Sequence, residues 1–212
     1  MNDSRHRHFI LEYLLVFGAV PLLISVLKPH GWIYPLLWIM GALSWRALKH
    51  YGVAWASEWN AAALNRAAVT AILWRFIPCA IALLLFTWVA IPDHLFGLPR
   101  QRPLVWVMVM LFYPLLSVVP QEIIFRSYIF RRYAPLSPAL LKIASACAFG
   151  CVHIVLQNWV AVTFSALGGW LFADTYAKTR SLAAVCFEHA LYGCYIFTIG
   201  LGFYFYHGQA VR

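Results

Sequence analysis

Residues 103–120 read PLVWVMVMLFYPLLSVVP, a stretch without a single charged side chain. A helix rises 1.5 Å per residue, so about twenty such residues span roughly 30 Å of hydrocarbon. The stretch does not stop at Pro120. It runs on as a helical segment through Glu122 and Arg126 and is expected to end near Arg131, Arg132 and Pro135. Working outward, comparable apolar runs occupy about 9 to 28, 32 to 48, 71 to 92, 137 to 157, 159 to 177 and 181 to 206, so that seven spans are expected. Lipid offers no partner to an open backbone amide, so each must be a helix. Residues 50 to 70 mix Trp55, Trp59, Asn60, Asn65 and Arg66 with alanines and are expected to form an interfacial amphipathic helix. The fold class is therefore all-α: a polytopic transmembrane bundle of about seven spans plus an interfacial helix.

Composition agrees. Of 212 residues, 63% are hydrophobic and 11% charged, and the mean hydropathy is +0.75, outside the range of a water-soluble domain. The first apolar run is followed by no Ala-x-Ala-like cleavage site and is read as a retained span. The formal charge of +9 does not point to nucleic acid, because the basic residues sit singly or in pairs at the ends of apolar runs. With the N-terminus inside, Arg5, Arg7, Arg46, Lys49, Arg66, Arg126, Arg131, Arg132, Lys142, Lys178 and Arg180 gather on the inner side. Lys28, Arg100, Arg102 and Arg212 remain outside, eleven against four. That bias marks topology. Arg75, in the first turn of the third span, is set aside as a residue that snorkels. Cys79, Cys147, Cys151, Cys186 and Cys194 all lie in apolar stretches and behave as small hydrophobes. No repeat or linker divides the chain, so residues 1–212 are read as one integral membrane domain, in contact with lipid.

Four acidic residues, Glu12, Glu122, Asp174 and Glu188, fall within or at the edge of expected spans. An ionisable group at membrane depth costs about 2.5 to 3.5 kcal/mol on insertion scales and usually faces the bundle interior. Glu122 and Arg126 are four apart, on one helix face, where the guanidinium can hold the carboxylate ionised and oriented. The fifth span brings His153 into apolar surroundings, and the seventh brings His189 with Glu188 beside it. Three helices thus each carry a Glu or His to membrane depth. Such a set suits general-base activation of water. Two imidazoles and a carboxylate also suit zinc, through His153, His189 and Glu122. The lack of His-Glu-x-x-His on one helix favours a site without metal or other cofactor. Asp174 and Lys178 at i+4 read as a solvated pair at a helix end, Gly168 and Gly169 as a close-packing site, and Glu12 has no evident partner.

These residues resemble the CPBP family, the CAAX prenyl endopeptidases and bacteriocin-processing (ABI) proteins, also called glutamic-type intramembrane proteases. The family shows Glu-Glu-x-x-x-Arg, then Phe-x-x-x-His, then His-x-x-x-Asn or Asp. Here Gln121-Glu122-Ile123-Ile124-Phe125-Arg126 is similar to the first motif, Phe149 to His153 matches the second, and His189 to Gly193 is similar to the third. The resemblance covers roughly 100–206, a CPBP-like catalytic core, and implies an intramembrane endopeptidase acting on a peptide or protein substrate. It implies Glu122, His153 and His189 as the catalytic set, with Gln121, Arg126, Phe149, Glu188 and Gly193 in support. Two positions depart from the pattern: Gln121 replaces the first Glu, and Gly193 replaces the Asn or Asp that would help an oxyanion hole. Three readings follow. Glu122 serves as the base, or Glu188 replaces the lost carboxylate, or the chain is a catalytically silent scaffold or partner subunit. Size and family suggest a bacterial inner membrane with a cytoplasmic N-terminus.

Overall fold

A computed structural model describes residues 3–27 and 31–206, with the side chains of residues 3–6 left aside. Lys28 and Arg212, assigned above to the outer side, lie outside the described residues, as does the side chain of Arg5. All described secondary structure is helical. Among the described residues five helices are long and apolar enough to cross a membrane: α1 (Arg7–Leu27), α4 (Arg66–Ala90), α6 (Pro103–Arg132), α7 (Pro138–Leu156) and α9 (Leu182–Ile199). Between them lie α2 (Ile33–His50), α3 (Trp55–Trp59), α5 (Gly97–Gln101), α8 (Trp159–Thr179) and, last, α10 (Gly202–Phe205). The chain is an integral membrane helix bundle. The expected second and sixth spans coincide with α2 and α8, of 18 and 21 residues. Their polar ends, Arg46 and Lys49 in α2 and Asp174 and Lys178 in α8, keep these two less apolar than the other five.

Helix starts follow local chemistry. Asn65, Ser137, Asn158 and Ser181 each accept a backbone N–H from the first turn of the helix that follows, satisfying donors that have no intrahelical partner. Pro103 and Pro138 open α6 and α7, where the missing N–H costs nothing. At the other end α9 stops at Gly200, whose φ of +107° suits glycine. The single interfacial helix expected over 50–70 is not there. That stretch divides into α3, a 3-10 turn at Ala61–Ala63 and the first turn of α4, broken where Asn60 adopts φ +40°.

The outward surfaces are apolar: Trp74, Val89 and Leu104 are 74%, 79% and 78% exposed. Polar groups turn inward. α7 and α8 pack most closely, because Gly150 faces Ala166 and Gly169 faces Phe149 and Ala146. Of the two glycines expected to allow this, Gly169 does so, while Gly168 meets only Phe172 of its own helix. Glu12 has a partner after all: Arg132 Nε donates to it at 2.8 Å and the Tyr133 hydroxyl at 3.3 Å, tying α1 to the end of α6.

Candidate functional site

α6 is not a uniform α-helix. π-type turns occupy Pro114–Val118 and Ile123–Tyr128, on either side of the segment that carries Gln121 and Glu122. Such bulges shift side chains around the helix axis and concentrate at functional sites. Glu122 and Arg126 emerge on the buried face, both 0% exposed. Arg126 Nε lies 3.1 Å from Glu122 Oε2, at an angle that makes this an ion pair rather than a hydrogen bond. The other carboxylate oxygen, Oε1, receives Nδ1 of His189 from α9 at 2.7 Å. Two of the three motifs therefore meet at one carboxylate.

The guanidinium is held by more than charge. Its Nη2 donates to the Gly169 carbonyl at 3.3 Å, which the close approach of α7 and α8 makes reachable. Its carbon stands 4.5 Å from the Phe149 ring centroid and 5.3 Å from that of Phe172, contacts that favour a cation out of water. Phe149, the first residue of the second motif, thus serves Arg126 while its ring edge also meets His189 at 5.3 Å. Phe172 stacks on His189 at 4.7 Å. The imidazole is clamped between aromatic rings with its Nδ1 on a carboxylate.

His153 sits where α7 tightens into a 3-10 turn. Its backbone N–H turns to Gly150, which frees the Phe149 carbonyl, and the His153 ring takes that carbonyl through Nδ1 at 2.7 Å. A carbonyl only accepts, so Nδ1 carries the proton and Nε2 keeps its lone pair. His153 shares Phe149 with His189 as a common wall, at 4.9 Å between the Phe149 and His153 centroids. No hydrogen bond joins His153 to Glu122 or His189 among the described residues.

Other expected site residues go elsewhere. Glu188 faces away from His189 into a separate network, taking Arg75 Nη2 at 2.9 Å and the Thr175 hydroxyl at 2.5 Å. Arg75 also reaches Asp174 at 3.1 Å, and Lys142 joins there at 3.2 Å. Asp174 is accordingly no solvated end-of-helix pair. It keeps Lys178 at 2.6 Å but lies only 17% exposed where α4, α7 and α8 meet. Arg75 points inward rather than snorkelling. Gln121 donates its amide to Ser117 Oγ at 2.7 Å and leaves its own Oε1 buried without a partner. Among the described residues no three His, Cys, Asp or Glu side chains gather as a metal would need; Glu122 and His189 meet, but His153 does not join them.

One residue escaped sequence reasoning. The Tyr113 hydroxyl lies 3.0 Å from His189 Nε2, and its ring fills the space beside Gly193, where any Cβ would collide with it. Its only signal in the sequence is a polar tip in the middle of an uncharged span. A distinct cleft of about 330 Å³ opens elsewhere, lined by Ser57, Glu58, Ser127, Arg131 and Tyr176 among others, with Ser127 Oγ donating to Glu58 at 2.6 Å.

The stretch that builds this geometry, residues 103–195, matches the family model described as type II CAAX prenyl endopeptidase Rce1-like. Residues 103–195 are similar to the Rce1-like family. The Rce1-like segment runs from the start of α6 to the middle of α9 and holds Tyr113, Glu122, Arg126, His153 and His189, as well as the two departures at Gln121 and Gly193. Comparisons with curated proteins and with solved structures found no match.

Proposed function

We propose that the chain is an intramembrane endopeptidase, hydrolysing a peptide bond near the membrane surface with a histidine-activated water. The observation that carries the reading is the buried Glu122–His189 contact of 2.7 Å, made between the first and third motifs of an Rce1-like segment. In this reading the free Nε2 of His153 takes a proton as water attacks the scissile carbonyl, then returns it to the leaving amine. Glu122 is wholly buried and engaged by Arg126 and His189, which suits a carboxylate that orients an imidazole rather than one that meets water. His189, so fixed, steadies the oxyanion. Gln121 Oε1, an unpaired buried acceptor, suits a hydrogen bond from the attacking water. No cofactor enters the step. The substrate is a peptide or protein reached from the lipid, with a prenylated CAAX terminus as the first to test. The reading extends, from size and family, to a bacterial inner membrane, with the N-terminus cytoplasmic as the eleven-against-four charge bias favours.

A second reading, a catalytically silent scaffold or partner subunit, is favoured by one contact: the Gln121 amide is donated to Ser117 where the motif would present a carboxylate. Cleavage of a quenched-fluorescent farnesylated peptide ending in Cys-aliphatic-aliphatic-Met, in proteoliposomes, separates the two. The peptidase predicts turnover that His153→Ala abolishes without loss of folded protein. Turnover unchanged in that variant refutes the assignment, and no turnover on this or on unprenylated membrane peptides favours the scaffold.

A further inference from the structure

In the motif that His189 opens, the residue four positions on is Gly193, which has no side chain to offer. The space is nonetheless filled. Tyr113 reaches across from α6, and a Cβ built on Gly193 would overlap Cε1, Cζ and the hydroxyl of that ring. The same hydroxyl stands 3.0 Å from His189 Nε2, with the rings edge to face at 6.0 Å. Two independent facts thus meet in one side chain: it occupies the volume a residue at 193 would need, and it bonds the histidine that opens the same motif. With Nδ1 on Glu122 and Nε2 on Tyr113, both nitrogens of His189 have partners, which fixes the orientation of the ring.

We propose that Tyr113 is a positioning residue for His189, placing a hydroxyl from α6 in the space where a third-motif Asn or Asp on α9 would stand. Gly193 is then not a lost function but the clearance that admits the tyrosine. The tyrosine oxygen accepts from Nε2–H and fixes that side of the imidazole, so that the same N–H is shared with the reacting carbonyl oxygen when substrate is bound, and Phe197 on α9 backs the tyrosine ring at 5.5 Å. The assignment rests on the peptidase reading for its catalytic meaning, while its geometric part stands by itself.

The two are tested separately. Histidine-selective ¹⁵N spectra of the detergent-solubilised full chain, with His189→Gln identifying the signal, read the bond itself. Tyr113→Phe should move the His189 Nε2 resonance and leave the His153 signals in place; an unmoved resonance overturns the proposal whether or not the chain cleaves anything. With the farnesylated peptide as probe, Tyr113→Phe should lower kcat by about ten- to a hundredfold, the scale of one hydrogen bond lost at a reacting group, with KM within about twofold. Gly193→Asn alone should be inactive because the two side chains overlap. Tyr113→Ala with Gly193→Asn should regain at least about tenfold over Tyr113→Ala, a recovery that one hydrogen bond can supply and a merely space-filling tyrosine would not predict. Full kcat in folded Tyr113→Phe overturns the proposal, whereas a wild type without turnover alongside a shifted resonance sinks the peptidase reading alone.

Discussion

Arg75 Nη2 lies 2.9 Å from Glu188 Oε1, an ion pair between α4 and α9 at the residue immediately before His189. The carboxylate is fully buried and the guanidinium is 29% exposed. Successive helix positions point about 100° apart, so neighbours in sequence serve different partners. His189 turns to Glu122 and Tyr113, while Glu188 turns to Arg75 and Thr175. Two polar networks thereby run side by side through the bundle, one reaching the motif residues and one linking α4, α7, α8 and α9.

The second network is expected to stabilise the bundle. Arg75→Ala leaves the wholly buried Glu188 without its cation, and removing one member of a buried pair costs about 3 to 5 kcal/mol. A large drop in thermal midpoint in detergent is therefore expected for Arg75→Ala, and a smaller one for Glu188→Ala, which leaves Arg75 paired with Asp174. The double variant should fall by less than the sum of the two, since the partners act together. Additive losses would show that the pair is not coupled.

The first network separates the two functional readings. Glu122→Gln removes the charge that Arg126 and His189 both use. It should abolish cleavage and lower stability by about 3 to 5 kcal/mol, because Arg126 is left buried and unpaired. Replacing both, as Glu122→Leu with Arg126→Met, should recover most of that stability, as apolar substitutes for buried ion pairs often do. Cleavage should not return. If the double variant regains both stability and turnover, the pair is only a structural lock.

Much of this was legible in the sequence. Apolar length fixes where helices run, and the observed bounds of α1, α6 and α7 fall within a few residues of the expected ones because lipid leaves the backbone no alternative. By contrast, α4 begins five residues before the expected 71, and α9 stops at Ile199, seven short of the expected 206, where Gly200 turns the chain. The spacing of Glu122 and Arg126 likewise determines their contact, since i and i+4 share a face. What sequence could not show is facing across helices. Nothing in the text around Gly193 names Tyr113, eighty positions earlier, and Glu188 beside His189 suggests a shared role that helical rotation denies. The failure of the 50–70 stretch to form one helix turns on Asn60, whose left-handed conformation carries no periodic signal.

Close packing of α7 on α8 positions Arg126 through the Gly169 carbonyl, and that packing depends on a small residue. A Cβ at Gly150 would stand 2.8 Å from the Cβ of Ala166, so Gly150→Val must push the helices apart. Overpacking of this kind costs about 1 to 3 kcal/mol. The expected result is a lowered thermal midpoint together with reduced turnover, because Phe149 and the Gly169 carbonyl both move away from Arg126. Gly168→Ala, where the nearest neighbour is a Phe172 ring carbon at 3.4 Å, should be tolerated. Equal effects at both glycines would argue against a specific contact at Gly150.

Gln121 offers a gain-of-function test. Its amide nitrogen is donated to Ser117 and its oxygen lies buried without a partner. An amide oxygen can accept a hydrogen bond from water but cannot take its proton, so His153 works without a carboxylate beside it in the proposed mechanism. Gln121→Glu restores the paired acids of the family motif with almost no change in volume, and the Ser117 hydroxyl can turn to donate to the new carboxylate. A positioned general base contributes about 10²- to 10⁴-fold, so an increase in kcat of at least about tenfold on the farnesylated peptide is expected, and the increase should vanish with His153→Ala. The added charge sits close to Glu122, and a modest loss of thermal stability should accompany the gain. If Gln121→Glu is folded and no faster than wild type, then water is not held at this position, and the base must be sought elsewhere in the site.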